Sequence, residues 1–288
     1  MRDNIVRATK LLAQHLFPDT PVTVDGNMRL WLGEPKRLQG FNLSTYINRV
    51  KTTLAPLELL VRGKRVCLVG GGPLEEGVGE DIDSFDVVIR CNNGYRATRQ
   101  APERCGSRTD AIYHCCGTGE PEDWPHPGDW PRVPIVLAAD AERNPHKLAQ
   151  VYLQSMKQGM RQVAIMPKAF FIRYGRTRGL VAPHTGMIAM LHLCELAAEV
   201  HTRGITFFAD GYDPAYKDWD PIRAAAYACR AHRIEEQRKW LAAHRPSNLF
   251  LCAAGEQALA LPVLHIPTDD CPLPAGDAED EQPPYATS

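Results

Sequence analysis

The feature that most constrains this chain is a series of short, densely apolar segments set between stretches of helical or loop character. They read VCLVG (66–70), DVVIRC (86–91), TDAIYHC (109–115), VPIVLAA (133–139), QVAIMP (162–167), GITFFADG (204–211) and NLFLCA (248–253). A strand covered on one face alternates apolar with polar residues. These barely alternate, which is the mark of strands covered on both faces, and helices between them supply the cover. The expected fold is therefore α/β, a Rossmann-like, mostly parallel twisted sheet with helices on both faces. A chain of 288 residues has enough length to bury such a core in one large domain.

Three regions are expected. Residues 1–62 form a helical preface with a short β excursion. Its last part (45–61) places Ile47, Val50, Leu54, Leu57 and Val61 three and four apart, as on one helix face. Residues 63–266 form the α/β domain. Residues 267–288 form an acidic, proline-rich tail with too few apolar side chains to pack, expected to be disordered. The stretch 117–132, rich in Gly, Pro and Trp, reads as a long surface loop, either bordering a site or merely connecting. No internal repeat is visible.

Charge narrows the partners. Six acids lie within 269–281, so the rest of the chain sets 33 basic residues against 28 acidic ones. A mildly basic body suits a small anion better than a nucleic-acid duplex, which calls for a strong basic stripe. No apolar run approaches the ~20 residues that span a bilayer. The N-terminus is amphipathic and charged rather than signal-like. The expectation is a cytoplasmic protein without a transmembrane segment, at most peripheral to the inner membrane. Nine scattered cysteines without CxxC spacing are expected to be reduced. His114-Cys115-Cys116 looks like a ligand cluster, but neighbours on a strand point to opposite faces, and a strand end with small side chains explains it as well.

Two segments carry candidate chemistry. In VCLVGGGPLEEGVGEDIDSFDVVIRCNNG (66–94) a buried strand runs into Gly70, Gly71 and Gly72, where the backbone can turn sharply or approach a phosphate or sugar. The next strand ends at Arg90-Cys91-Asn92-Asn93-Gly94. Both ends should open on the carboxyl edge of the sheet, where such folds bind ligands. A dinucleotide-binding oxidoreductase fits poorly. Gly70-Gly71-Gly72-Pro73 breaks the GxGxxG spacing, and the second strand lacks the acid that holds a ribose diol.

The second segment, APHTGMIAMLHLCELAAEV (182–200), places Pro183-His184-Thr185-Gly186 before a helix that is apolar nearly all round and hence buried. Thr185 is expected to cap it, and its N-terminus offers N–H groups and a positive dipole end to a phosphate or carboxylate. An ordinary capped core helix would look the same.

Together these segments resemble the two large motifs of the sialyltransferases of glycosyltransferase family 29, in order and at similar distance. The long motif is echoed by Val69-Gly70, by Ile82-Asp83-Ser84-Phe85-Asp86, by Val88-Ile89-Arg90-Cys91-Asn92 and by Gly106-Ser107-Arg108-Thr109-Asp110. The short motif is echoed by Pro183-His184-Thr185-Gly186 and by Gly211-Tyr212. The likeness spans about 65–240. It implies the GT-A-like variant of the fold and an inverting transferase that moves a 2-keto sugar acid from its CMP ester to a glycan hydroxyl. By this resemblance the donor would be CMP-sialic acid, or CMP-Kdo as the alternative; a catalytically inactive nucleotide-binding protein is the rival of a different class. Asn92, with Asn93 beside it, would bond the nucleotide, Gly70 to Gly72 would floor it, and its anions would sit near His184, Thr185 and Gly186.

The departures from the family are specific. Gly71 stands where animal members carry an Asn, and His184 where they usually carry Ser. Cys67 and Cys194 lie near, but not at, the family's disulfide positions. The animal members' N-terminal anchor is lacking, which implies a bacterial relative or a form without the anchor. The family's last motif is a His followed five residues later by Glu. Here His232 is followed by Gln237, with Glu236 one residue early. The spacing of Ala225, Cys229, His232, Glu236 and Trp240 puts them on one face of a helix begun by Asp220-Pro221. His232 is then the expected general base, with Glu236 one turn away to hold it; a satisfied core histidine is the bland alternative. Where the family has a His-Tyr motif this chain has Tyr212, Tyr216 and Trp219, with Tyr216 the substitute phosphate contact. No metal or other cofactor is expected, since Asp81-Ile82-Asp83 precedes a strand rather than following one, so Asp83 should cap a turn.

Overall fold

The computed structural model describes residues 54–115, 132–138, 162–181, 183–216 and 232–260, the backbone of 22–24 and 30–32, and positions 148, 151 and 224. Most of the preface, the 117–131 stretch, the Asp220-Pro221 helix start and the acidic tail lie outside the described residues. Strands β1 (Val22–Val24) and β2 (Leu30–Leu32) pair antiparallel. The other strands are β3 (Arg65–Val69), β4 (Val87–Cys91), β5 (Ala111–His114), β6 (Ile135–Leu137), β7 (Val163–Ile165), β8 (Glu199–Arg203) and β9 (Leu249–Phe250). They form one seven-stranded sheet in the order β7-β6-β5-β4-β3-β8-β9, and every pairing is parallel. The helices are α1 (Ala55–Val61), α2 (Val78–Asp83), α3 (Ala97–Gln100), α4 (Pro102–Cys105), α5 (Lys168–Phe171), α6 (Thr185–Cys194), α7 (Ile234–His244) and α8 (Ala253–Ala260).

This is the doubly wound α/β fold that the apolar segments predict. The chain moves outward from β3 through β7, then returns to add β8 and β9 on the other side of β3. The reversal places the topological switch point between β3 and β8, where folds of this kind open a crevice at the carboxyl edge. β4, β5, β6 and β7 are buried along their whole length, which explains their lack of alternation. Helix α6 is buried from Thr185 to Leu193 and packs on β4, β5 and β8, as its all-round apolar character requires. Each such side chain taken from water contributes about 1.5–3 kcal/mol before entropy is counted.

The sixth expected strand is corrected. Residues 204–211 form turns, and the strand is Glu199–Arg203, inside what reads as the end of a helix. Glu199, His201 and Arg203 are half-buried while Val200 and Thr202 are buried, so this strand alternates and looks polar in sequence. Beyond β8 the chain cannot stay extended: Gly204, Phe207 and Phe208 have φ of 60°, 49° and 66°. Left-handed backbone at two bulky aromatic residues is strained and needs firm surroundings to persist.

The IDSFD and GSRTD segments turn out to be scaffolding. Asp83 accepts hydrogen bonds from Ser107 N–H (2.7 Å), Ser107 Oγ (2.7 Å) and Arg108 N–H (3.1 Å), which hold its carboxyl below the usual range against the opposing effect of burial. It thus fastens a turn. Arg108 donates to the carbonyls of Asp83 and Phe85 (2.7 Å each) and to Asp110 Oδ2 (2.8 Å), which also accepts from Val88 N–H (2.8 Å). Asp86 accepts from Arg65 N–H at 2.9 Å. Arg90 is fully buried and donates to the carbonyls of Arg108 (2.9 Å) and Cys105 (2.8 Å) and to Thr109 Oγ1 (3.1 Å). Together these residues lock the start of β4 to the turn before β5.

Candidate active site

At the carboxyl end of β3 the three glycines serve packing. Gly70 N–H donates to Arg203 O and Gly72 N–H to Gly204 O, both at 2.8 Å, so these two donors prolong the β3–β8 pairing and are spent. A Cβ on Gly70 would lie 2.4 Å from Gly204 O, and one on Gly72 would lie 2.9 Å from the same atom. Gly71 is different. Its Cβ would meet the Tyr216 ring at 2.7 Å and the Tyr212 ring at 3.1 Å. The floor expected beneath a nucleotide is thus Gly71 with the two tyrosines on it, their ring centroids 5.3 Å apart. Asp213 N–H donates to Gly71 O (2.8 Å), and the buried Asp213 carboxylate pairs with Arg104 at 3.1 Å, pinning the tyrosine loop to α4.

At the end of β4 the chain turns through Asn92 at φ 50°, a conformation that Asn tolerates better than most residues. Asn92 Oδ1 accepts from Cys115 N–H (2.9 Å) and faces Thr185 Oγ1 (3.4 Å), 93 residues on. With its oxygen turned inward to a main-chain donor, Asn92 is left with its amide N–H groups for other partners. Asn93 is buried and its Oδ1 lies 3.3 Å from His114 Nε2. His114 is wholly buried, and burial pushes its pKa down to about 3, so it is neutral. It belongs to the core under the site and is the last residue of β5, with Cys115 following the strand end.

The start of α6 is also corrected. The N-cap is His184, not Thr185, and no side chain bonds the first turn. Thr185 is the first helical residue, its hydroxyl directed at Asn92. His184, 8% exposed, uses its ring for another purpose: Nδ1 lies 2.7 Å from Gln237 Oε1, which also accepts from His184 N–H at 3.2 Å. Burial lowers the His184 pKa to about 4, opposed by the Gln237 bond. The ring packs edge-on against Phe207 (5.9 Å) and Phe208 (5.6 Å), held by the left-handed turn after β8.

His232 joins this cluster. Its ring lies 6.2 Å from that of His184 and is stacked on Phe208, also at 6.2 Å. Phe208 continues to Tyr212 at 5.7 Å, so an aromatic wall runs from His184 and His232 to Tyr216 over Gly71. The expected helix linking His232 to Glu236 is broken. Arg233 sits at φ 45°, ψ 52°, and α7 starts only after it. At the break, Gln237 donates its side-chain amide to His232 O. Glu236 is exposed and pairs with Arg233 at 3.5 Å, away from the His232 ring. Gln237, fully buried, is the residue that sequence reasoning undervalued. Its signal was there, five residues after His232.

Of the expected site residues, the structure gathers Gly71, Asn92, His184, Thr185, Gly186, Tyr212, Tyr216 and His232 at this edge, and leaves Glu236 outside. Among the described residues no group of three or more His, Cys, Asp or Glu side chains is placed to hold a metal ion. Asp81 is engaged by Arg203 at 2.7 Å. Cys67 and Cys194 are free thiols whose pKa burial pushes up to about 12. No described helix is long and apolar enough to cross a membrane.

No protein-family model matches the chain, and no curated protein does. Among solved structures it is similar to a mammalian sialyltransferase in complex with Gal-beta-1-3GalNAc-ortho-nitrophenol, at 15% identity and TM-score 0.47, over 85% of each chain. It is also similar to a second mammalian sialyltransferase structure at 15% identity and TM-score 0.46, over 75% of this chain and 81% of the other.

Proposed function

We propose that this protein is an inverting, CMP-sugar-dependent glycosyltransferase that moves a sialic acid, or a related 2-keto sugar acid, to a glycan hydroxyl. One observation carries the reading. Three separate sequence segments that resemble sialyltransferase motifs meet at one edge of the sheet, through Asn92 with Thr185 and through His184 with Gln237 and His232. Asn92, with amide N–H groups to give, bonds the nucleotide; the start of α6 offers N–H groups to the donor's anions. The Gly71–Tyr212–Tyr216 surface supports the donor. The acceptor hydroxyl needs somewhere for its proton to go as the new bond forms, and His232, half-buried on the aromatic wall, is the general base.

The test is incubation with CMP-sialic acid and with CMP-Kdo, with and without glycan acceptors, in EDTA. CMP release from one donor is expected, and His232→Ala should cut transfer by ~10²–10⁴ with CMP affinity little changed. Failure to bind CMP or to release it from either donor would sink the reading. Binding without release would favour the inactive nucleotide-binding protein. Turnover that needs manganese would overturn the metal-free part.

A further inference from the structure

We propose that Gln237 is a positioning residue that locks His184 in its neutral Nδ1–H tautomer, so that the Nε2 lone pair at the start of α6 accepts a hydrogen bond from a ligand hydroxyl. The tautomer is set by main-chain groups whose roles are fixed. His184 N–H is only a donor, so the Gln237 atom facing it is the oxygen. His232 C=O is only an acceptor, so the atom facing it is the amide nitrogen. The amide has one orientation, and its oxygen, 2.7 Å from His184 Nδ1, requires a proton on that nitrogen.

The second ring nitrogen points elsewhere. Among the described residues none of the hydrogen bonds of His184 uses Nε2, which would lie 3.1 Å from a Cβ added to Gly186, over the first turn of α6. Among the described residues, the groups against the ring are Gln237 from α7, His232 before it, and Phe207 and Phe208 after β8. Each is uncharged or aromatic, and burial holds the imidazole pKa at about 4, in keeping with a neutral ring.

A bare lone pair repels a phosphate or carboxylate oxygen, which has no proton to offer near neutral pH. The partner at Nε2 must carry its own hydrogen; on a nucleotide-sugar that is a hydroxyl or an N–H, and the hydroxyls of ribose and sugar are the donors that flank the phosphate and carboxylate. The donor's anions must then lie beside His184 rather than on it. This deepens the donor-site reading and rests on it only for the ligand's presence; the tautomer stands apart.

The experiment is nitrogen NMR of the full chain with labelled histidine, with His184→Gln used for assignment and CMP as the probe. The free protein should show His184 protonated at Nδ1 and bare at Nε2. Adding CMP should move the Nε2 resonance and leave that nitrogen bare. A free Nε2–H tautomer or an imidazolium overturns the positioning role, as does a proton gained at Nε2 with CMP or a resonance that CMP leaves unmoved. Gln237→Glu should protonate the ring and weaken CMP at least tenfold, whereas a phosphate on the ring would bind tighter and refute the hydroxyl. If CMP does not bind at all, the donor reading fails and takes the hydroxyl with it, while the tautomer is still decided in the free protein.

Discussion

The glycine run offers a sharp test of how this edge is built, because adjacent Gly→Ala changes should have different consequences. At Gly70 the new methyl would lie 2.4 Å from Gly204 O and 2.7 Å from Ile205 Cγ1. Neither strand can yield cheaply, since Gly70 N–H to Arg203 O and Gly72 N–H to Gly204 O hold them together at 2.8 Å. Overpacking of this kind costs about 1–3 kcal/mol, and the backbone obstacle puts Gly70→Ala at the upper end, ~3 kcal/mol. For a domain of this size that is a fall in Tm of roughly 6–12 °C. At Gly71 the obstacles at 2.7 and 3.1 Å are tyrosine rings, which can swing aside. Replacing glycine also stiffens the unfolded chain, worth about 0.4–1 kcal/mol, so Gly71→Ala should stay within a few degrees of the parent. Its effect should appear instead as altered CMP affinity, because the Tyr212–Tyr216 surface has moved. Differential scanning fluorimetry with a CMP titration reads both. A Gly70→Ala protein as stable as the parent, or a Gly71→Ala protein as unstable as Gly70→Ala, would refute the division of roles.

Burial and charge set two further outcomes. Arg90→Lys keeps the charge but lacks the fork that reaches Arg108 O, Cys105 O and Thr109 Oγ1 together; it should cost about 2 kcal/mol in thermal unfolding, and an unshifted Tm would contradict the scaffold role. His114, His184 and His192 are held neutral by burial, with pKa values pushed down from 6.5 to about 3, about 4 and about 4. The unfolded chain binds the extra protons first, so their stabilisation is complete above the unfolded value of about 6.5 and is lost as pH falls towards 4, on the order of a few kcal/mol for each group. A Tm that holds steady from about pH 7.5 to about pH 5 would show that these rings take up protons as readily in the fold as in the unfolded chain, and so are not held neutral by burial.

The architecture was legible because buried parallel strands are continuous apolar runs, and β4, β5, β6 and β7 are buried throughout. β8 was missed for the complementary reason: Glu199, His201 and Arg203 face half-buried positions, while the apolar run after it is bent by two left-handed aromatics. β-propensity sees Ile205, Phe207 and Phe208 as strand formers and cannot see the backbone that the surroundings impose. The site obeyed a similar rule. Asn92 and His184 were singled out as residues at element ends and His232 through the resemblance to the family's His motif, and the structure brings Asn92 to Thr185 and His184 to His232. Glu236 was preferred to Gln237 because a carboxylate is the usual partner of a histidine and helical spacing of four is the usual contact. Arg233, left-handed, breaks that spacing.

The His184–Gln237 contact also bears on whether the departures from the sialyltransferase pattern mark decay. The resemblance sets Ser at the first position and Glu at the second, and this chain differs at both. A hydroxyl can donate to a carboxylate, so Ser with Glu is a sound pair. His beside Glu would instead be driven to an imidazolium in a buried place. His beside Gln keeps the ring neutral, satisfies Nδ1 and His184 N–H together, and spends the amide on His232. A site losing its purpose sheds partners singly and leaves buried polar atoms unpaired, at about 1–3 kcal/mol each. Here two changes 53 residues apart fit each other and leave neither side chain short of a partner at the contact. Under the proposed function, this mutual fit argues for altered chemistry over decay, and the departure from the sialyltransferase pattern then lies in what His184 would receive from a ligand.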